Sequence, residues 1–355
     1  MAKYVIDSAT LSAIADSIRT KKGTSAYITP EAMPSEIAGI TTSGGGGDGA
    51  EIARSIVDRT ITAYSDSEIT AVGVYAFSSC GALTSVNIPS VTSIGQYAFN
   101  ACTALANIQG ASVTSLGGYT FTGCSTLASV DFPKLTSVGT YAFQNCSLLE
   151  TFDGEKVTSV GAYGFTGCSK LANINLPLAT SIGQYAFNGC AASHISLPSL
   201  KSMSSGAFRG SKFVSVDLPN VANVANNGFR AQGYIKSVTF PKATATASES
   251  MRNCTALEYV DFPILTALGT YSFYDCASLK TLILRTTSKV VPMGNINIIT
   301  NTAIKNGNGY VYVPSSLLAS YKAATNWSTI AAQIRALEEY TIDGTITGQL
   351  DPNKI

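Results

Sequence analysis

The phrase YAFNACTALANI begins at Tyr97, and the similar phrases YAFQNCSLLETF and YAFNGCAASHIS begin at Tyr141 and Tyr185. Aligned on the phenylalanine, the phrase occurs ten times, at steps of 22 residues apart from two steps of 21. A fixed period between about 20 and 50 residues is typical of a solenoid, because each short coil buries its apolar side only by stacking on its neighbours. The aligned positions are Phe77, Phe99, Phe121, Phe143, Phe165, Phe187, Phe208, Phe229, Met251 and Phe273.

Each copy contains one short segment that alternates apolar and polar residues. In LTSVNI, Leu83–Ile88, the side chains of Val86 and Ile88 alternate with polar ones, which predicts a strand with one buried face. Pro89 follows and is expected to end the strand pairing, since proline has no N–H to donate. Gly95 is expected to permit the turn into the next coil.

All eight cysteines share one position, three residues after the aligned phenylalanine or Met251. We expect small, buried, free thiols at this position. Disulfides between coils are the alternative, because stacked Cα atoms lie within the bridging range of about 4.4–6.8 Å. Parallel side chains and the replacements Ser211 and Gln232 favour free thiols. One histidine and no paired C-x-x-C motif argue against a zinc site, and the sequence predicts no cofactor.

The full unit, Y-A-F-x-x-C-x-x-L-x-x-V-x-[IF]-P, resembles the BspA-like leucine-rich repeats found in bacterial surface proteins and in phage and prophage proteins. The resemblance covers about residues 61–284. It implies a repeat solenoid in which each coil of 22 residues holds short β-strands and short helical turns. It also implies a binding function without catalysis.

The sequence divides into four parts. Residues 1–42 carry two helix patterns, in IDSATLSAIADSIRTKKG and TPEAMPSEIAGI, and are interpreted as a small attachment module. Residues 43–50 form a glycine-rich linker, residues 51–285 the solenoid, and residues 286–355 a C-terminal α/β cap. The cap is expected to contain a strand in GYVYVP, helix starts at Ser315 and near Asn326, a core anchor in Trp327, and a hairpin in TIDGTITG.

Both ends also resemble tail-associated proteins of phages and prophages of Gram-positive bacteria. For residues 1–42, the resemblance implies attachment to tail or baseplate proteins of a virion. The expected location is therefore the virion, assembled in the host cytoplasm and released by lysis. A homo-oligomer is also expected, although no heptads or collagen-like runs specify its order.

Charge is scarce, with 13% charged residues and a formal net charge of +1. Such a chain has no strong field for nucleic acid or an anionic membrane. No apolar run is long enough for a membrane span, so no membrane insertion is expected. No nucleophile–base pair is expected around the lone His194, which is interpreted as a surface residue, and the sequence predicts no enzyme.

Two rows of surface residues are candidate binding surfaces for a host glycan or protein. The first, the polar row, follows the predicted strands and is interpreted either as a binding surface or as the solvated side of the sheet. Its candidates are Asn87, Gln109, Asp131, Asp153, Asn175, Asp217 and Asp261, with Ser196 and Thr239 between them.

The second candidate, the arginine stripe, comprises Arg209, Arg230 and Arg252, each one residue after the aligned position. Like charges on neighbouring coils repel unless carboxylates or a ligand compensate them, and Glu249 is a nearby candidate. The stripe is interpreted either as sequence drift or as a patch for an anionic partner or neighbouring subunit. Removing the three charges is expected to spare the fold and even to relieve repulsion.

The sequence therefore favours a non-enzymatic tail fibre or receptor-binding protein of a phage or prophage. A structural or decoration protein of the virion is the first alternative. A bacterial surface adhesin is the second.

Overall fold

A computed structural model describes residues 4–5, 59–342 and 345–346 of the chain. The helices expected within residues 6–40 and the linker at 43–50 lie outside the described residues. The chain divides into two compact units, Met1–Leu176 and Pro177–Ile355, and each is a stack of coils. The predicted repeat solenoid is therefore confirmed.

The first unit contains two parallel ladders of short strands. The first ladder is formed by β2 (Ala63–Ser65), β4 (Ser85–Asn87), β6 (Asn107–Gln109) and β8 (Ser129–Asp131), and β10 (Thr151–Asp153) pairs with β12 (Asn173–Asn175) in the same way. The second ladder contains β1 (Tyr4–Val5), β3 (Ala71–Val72), β5 (Ser93–Ile94), β7 (Ser115–Leu116), β9 (Ser137–Val138) and β11 (Ser159–Val160). Apart from β1, which pairs with β3, each strand pairs with the strand one repeat away, so that Val86 lies opposite Ile108.

The interior of the first unit is a set of apolar columns. Val86 is 2% exposed and Ile88 is fully buried, as the alternation in LTSVNI predicts. The aligned phenylalanines from Phe77 to Phe165 are buried and stack with ring centroids 5.0–5.4 Å apart. This spacing is imposed by the coil repeat, because strands pair at about 4.8 Å.

Turns, rather than helices, connect the strands within the repeats. The N–H of Ser78 donates to the carbonyl of Tyr75 at 3.0 Å, and the N–H of Cys80 donates to that of Phe77 at 3.1 Å. No helix occurs in the coils between residues 59 and 285, so the expected helical turns are single hydrogen-bonded turns. In the turn segment that begins at the tyrosine of the repeat, alternate N–H groups also donate to carbonyls of the next coil. The N–H of Tyr97 donates to the carbonyl of Gly118 at 3.0 Å, and the N–H of Phe99 donates to that of Thr120 at 2.8 Å.

The glycine after each of the strands β5, β7, β9 and β11 is required by a close approach between coils. A Cβ atom on Gly95 would lie 2.7 Å from the backbone nitrogen of Val74, and one on Gly161 would lie 2.6 Å from that of Thr140. Gly95 was expected to serve a turn, whereas the structure shows that the neighbouring backbone leaves no room for a side chain.

The second unit continues the same type of coil and ends in a different sheet. The paired strands are β13 (Ser181–Ile182) with β15 (Ser202–Met203), β14 (His194–Ser196) with β16 (Ser215–Asp217), and β17 (Asn223–Val224) with β19 (Ala245–Thr246). The last sheet is parallel and has the order β18 (Ser237–Thr239), β20 (Tyr259–Phe262), β21 (Thr281–Leu284), β22 (Tyr310–Val313) and β23 (Ile334–Ala336).

The C-terminal region contains the predicted strand as β22. One α-helix, α1 (Leu318–Ala323), and 3₁₀ helices at Ile296–Ile298, Ser315–Leu317, Trp327–Gln333 and Leu337–Glu339 occur in the described part. Ile334 was expected on a helix face but lies in β23, where it pairs with Val311. The predicted hairpin is present as antiparallel β24 (Thr341–Ile342) and β25 (Thr345–Ile346), while its turn residues lie outside the described part.

Trp327 is the core anchor that the sequence predicts. Its side chain is fully buried, and its Nε1 donates to the carbonyl of Val291 at 2.8 Å. Tyr321 packs edge-on against it at 5.5 Å and accepts a hydrogen bond from the N–H of Val291. Both polar atoms are thus satisfied within an apolar setting, as buried Trp and Tyr require.

All eight cysteines are buried, and none of them forms a disulfide. The thiols of Cys102 and Cys124 donate to the carbonyls of Phe77 and Phe99 of the preceding coil, at 3.0 Å in both cases. Where cysteine is replaced, Ser211 Oγ donates to the carbonyl of Phe187 at 2.5 Å, and Gln232 Nε2 donates to that of Phe208. This position therefore selects a buried side chain that can donate a hydrogen bond, in addition to a small apolar one.

Burial raises the pKa of the Cys80 and Cys168 thiols to about 12. The thiolate is the nucleophile, so we expect the native protein to react slowly with a thiol reagent. After denaturation without reductant, a colorimetric titration should count eight thiols, one for each cysteine. Few or no thiols in that titration would show that coils are bridged by disulfides.

The same pKa values predict a loss of stability in alkali. In the unfolded chain thiols ionise near pH 8.5, whereas the folded chain keeps these protons. The contribution of these thiols to the free energy of unfolding is therefore fully present below about pH 8.5 and declines as the pH rises towards 12. Each thiol lowers the free energy of unfolding by up to about 1.4 kcal/mol per pH unit in this range. Urea unfolding at pH 8 and pH 10 measures the decline, and Cys168→Ser should make it shallower.

Candidate functional site

The polar row of the first unit lies on the outer side of the first ladder. Strand pairing places Asn87, Gln109 and Asp131 side by side, and their side chains are exposed. Asp153 and Asn175 are paired and exposed in the same way, and Asn175 Nδ2 donates to Asp153 Oδ1 at 2.8 Å. These side chains form one set of three and one set of two hydrogen-bonding groups, and strand pairing sets the spacing within each set.

In the second unit, the polar row is only partly available. Asp217 is exposed and accepts a hydrogen bond from Ser196 at 2.7 Å. Asp261 is 4% exposed, and Arg285 binds its carboxylate with both Nε and Nη2 at 3.0 Å. Burial raises the pKa of Asp261 by more than the Arg285 contact lowers it.

The proposed role of Asp261 as a surface residue is therefore wrong. Tyr340, which follows the last 3₁₀ helix, packs near Tyr259 of β20 at 6.2 Å and against Tyr312 of β22 at 4.8 Å. The C-terminal segment thus covers the outer side of this sheet, where the sequence pattern predicts an open polar surface.

The arginine stripe is compensated by a carboxylate. Glu249 binds Arg230 at 2.7 Å through one oxygen and Arg252 at 3.1 Å through the other. Arg252 also lies over the ring of Tyr274 at 5.0 Å, and Arg209 lies 5.9 Å from the ring of Tyr185. Glu249 therefore compensates the charges of Arg230 and Arg252. Replacing all three arginines would remove these two ion pairs rather than relieve repulsion.

A third row, the tyrosine ladder, is formed by Tyr75, Tyr97, Tyr119, Tyr141 and Tyr163. Neighbouring rings are stacked with centroids 4.6–4.7 Å apart and planes within 14° of each other. The rings are half-exposed, apart from the exposed Tyr75. Each ring face is therefore covered by its neighbour, and the ladder presents ring edges to the solvent.

Every tyrosine of the ladder has a left-handed backbone, with φ of 58–59°. This conformation costs a residue with a Cβ atom roughly 1–2 kcal/mol, and glycine or asparagine adopts it more readily. The equivalent positions in the second unit are also at positive φ, and they are Tyr185, Gly206, Asn227, Glu249 and Tyr271. A second left-handed position, two residues after the aligned phenylalanine, is often Gly, Asn or Asp, a signal that the sequence analysis missed.

His194, the one histidine of the chain, lies on the surface of the second unit. His194 is exposed on β14, and its Nδ1 lies 2.8 Å from Ser215 Oγ. Within the described residues, no group of three or more His, Cys, Asp or Glu side chains is arranged to hold a metal ion. No helix in that part of the chain is long and apolar enough to cross a membrane.

The stacked coils, with their leucine, phenylalanine and cysteine columns, define a leucine-rich repeat solenoid. A model of the BspA-type leucine-rich repeat region matches six copies within residues 70–191 and 158–280, and the chain belongs to this family. Solenoids of this kind typically act as binding scaffolds rather than as catalysts. No curated protein matches the sequence significantly.

Solved structures with a similar fold come from several bacteria. A leucine-rich cell surface protein of Faecalibacterium prausnitzii is 23% identical, with 72% of this chain and 82% of that chain covered and a TM-score of 0.45. A leucine-rich repeat protein of Eubacterium ventriosum is 20% identical, with coverage of 71% and 88% and a TM-score of 0.41. The pneumococcal vaccine antigen PcpA is 13% identical, with coverage of 78% and 77% and a TM-score of 0.36.

The contacts of Glu249 predict how the arginine stripe contributes to stability. Glu249→Gln should lower the free energy of unfolding by about 0.5–1 kcal/mol, because both ion pairs are partly exposed. The loss should shrink as salt is added, since salt screens the charges. Arg209→Gln is the control, because Arg209 makes no ion pair with Glu249. Equal losses in the two variants, measured by urea unfolding, would contradict this account.

Proposed function

We propose that this protein is a non-catalytic recognition protein of a phage or prophage tail, in which residues 1–42 attach to the particle and the solenoid contacts the host surface. The resemblance of residues 1–42 to tail-associated proteins supports the attachment role. Membership of a repeat family built as a binding scaffold supports the recognition role.

The observation that carries the recognition role is the polar row on the first unit. Its amide and carboxylate groups lie on paired strands whose backbone is fixed by hydrogen bonds, so little conformational freedom is lost on binding. The same kind of group recurs at every coil, which suits a ligand with many equivalent polar groups, such as a surface glycan. The few charges on this row make short-range hydrogen bonding, rather than long-range attraction, the source of specificity.

Two other functions make different use of the same fold. A decoration protein would bury the solenoid between virion subunits, and a bacterial adhesin would display it on the cell. The polar row is compatible with both, so the location of the protein discriminates among the three functions.

Immunogold electron microscopy of particles from the source strain tests the proposal. Antibodies against the purified chain should label the tail tip of intact particles, and the purified full chain should compete with particles for adsorption to host cells. Label only on bacterial cells would favour an adhesin. Label that appears only after particle disruption, without competition, would favour a decoration protein.

Deletion of residues 1–42 tests the attachment role separately. The truncated protein should be missing from purified particles, as measured by immunoblotting. It also loses β1, which pairs with β3 through Tyr4–Ala71 and Val5–Val72, so we expect a modest decrease in melting temperature with the coils still folded. Normal incorporation of a folded truncated protein would contradict attachment through this segment.

A further inference from the structure

The tyrosine ladder is the centre of a larger surface, the tyrosine face, on five coils of the first unit. In each coil this face comprises the tyrosine, the two residues before it and the two residues after the buried phenylalanine. It consists of residues 73–75, 78–79, 95–97, 100–101, 117–119, 122–123, 139–141, 144–145, 161–163 and 166–167. All of these residues are exposed or half-exposed, and none is charged.

The composition of the tyrosine face resembles that of protein-binding surfaces. Apart from tyrosine it contains mainly Gly, Ser, Thr, Asn, Gln and Ala. Tyrosine provides a large contact area with few rotatable bonds, while small polar residues provide adaptable hydrogen bonds. Depletion of charge is typical of the centre of a protein interface.

The geometry of the rings argues against a carbohydrate on this face. Sugars stack on the flat faces of aromatic rings, but here both faces of Tyr97, Tyr119 and Tyr141 are covered by neighbouring rings at 4.6–4.7 Å. A partner of the tyrosine face therefore contacts ring edges, which favours a protein.

The coil itself does not need tyrosine at these positions. Gly206 and Asn227 occupy the equivalent left-handed positions in the second unit, and their coils keep the same turns. Tyrosine is the less favourable choice for this backbone. Its occurrence on six successive coils, from Tyr75 to Tyr185, points to a function of the exposed ring edges, in addition to their stacking.

We propose that the tyrosine face binds the tyrosine face of a second copy of this chain, with the two ladders antiparallel across a twofold axis. Two ladders with the same spacing stay in register over all five rungs, and a twofold axis pairs the same patch on both copies. An uncharged face avoids the like-charge repulsion that a charged patch meets when it pairs with itself. This proposal does not depend on the proposed function.

The size and limits of the face fit such an interface. Five residues on each of five coils give 25 accessible residues, within the range of about 20–30 per partner in stable interfaces. The corresponding surface of the second unit carries Arg209, Arg230, Glu249 and Arg252. In the second unit, the equivalent positions around Tyr185 are also uncharged, but the later coils carry these charges, so self-pairing of an uncharged surface is limited to the coils that carry the successive tyrosines.

Sedimentation velocity of the purified full chain over a range of concentrations tests the proposal. The wild type should form a dimer, and the triple variant Tyr97→Asn, Tyr119→Asn, Tyr141→Asn should dissociate at least about 100-fold more readily. Asparagine is chosen because Asn227 has the same backbone conformation. The control on the same coils is Asn107→Ala, Ser129→Ala, Thr151→Ala, which changes exposed residues of the opposite ladder and should leave the dimer intact.

A second variant retains all the tyrosines of the ladder. It therefore tests the dimer even if the asparagine variant fails to fold. Gln96→Arg with Thr140→Arg adds charges to exposed positions of the face, and the twofold axis would bring like charges together. This variant should be monomeric at low salt, with an unchanged far-ultraviolet circular dichroism spectrum. A monomeric wild type, or a dimer that persists in either folded variant, would overturn the proposal.

Discussion

The hydrogen bonds between successive coils are the constraint on which the rest of this structure depends. They occur in both strand ladders and in the turn segment, where Tyr97 and Phe99 donate to the next coil at 3.0 and 2.8 Å. Because every coil must repeat this backbone, equivalent side chains stand above one another at nearly the strand spacing. The phenylalanine column, the cysteine column and the tyrosine ladder are consequences of this one repeat. So is the glycine at 95, which lies too close to the neighbouring coil to carry a side chain.

A column tolerates substitution only where the new residue meets the local requirement of the backbone. Ser211 and Gln232 differ from cysteine in size and polarity, yet both donate to the phenylalanine carbonyl of the preceding coil. Gly206 and Asn227 lack the aromatic ring but adopt the left-handed conformation. The departures in the second unit are therefore conservative in hydrogen bonding or in backbone conformation, even where they are radical in side-chain chemistry.

The outer surface, in contrast, differs between the two units. Side chains there are not constrained by the backbone of the coil, and their contacts depend on the neighbouring side chains. In the first unit the polar row is open to solvent and the tyrosine face is free of charge. In the second unit Glu249 joins two arginines, and Tyr340 helps to cover the outer side of the last sheet. A single fold thus carries chemically distinct surfaces, with a polar row and an uncharged tyrosine face in the first unit and paired charges in the second.

The sequence alone determined the repeat length, the solenoid, the inward and outward sides of the strands and the burial of Trp327, because these follow from periodicity and apolar pattern. It also located the polar row and the arginine stripe, since a repeat converts sequence spacing into spatial neighbours. Only the tertiary structure decided which of those residues are available. Asp261 is equivalent to Asp131 in the repeat, yet Arg285, 24 residues later, binds it, and a tyrosine 79 residues later helps to cover its sheet. Burial and ion pairing depend on such distant segments of the chain, and no local pattern around Asp261 contains them.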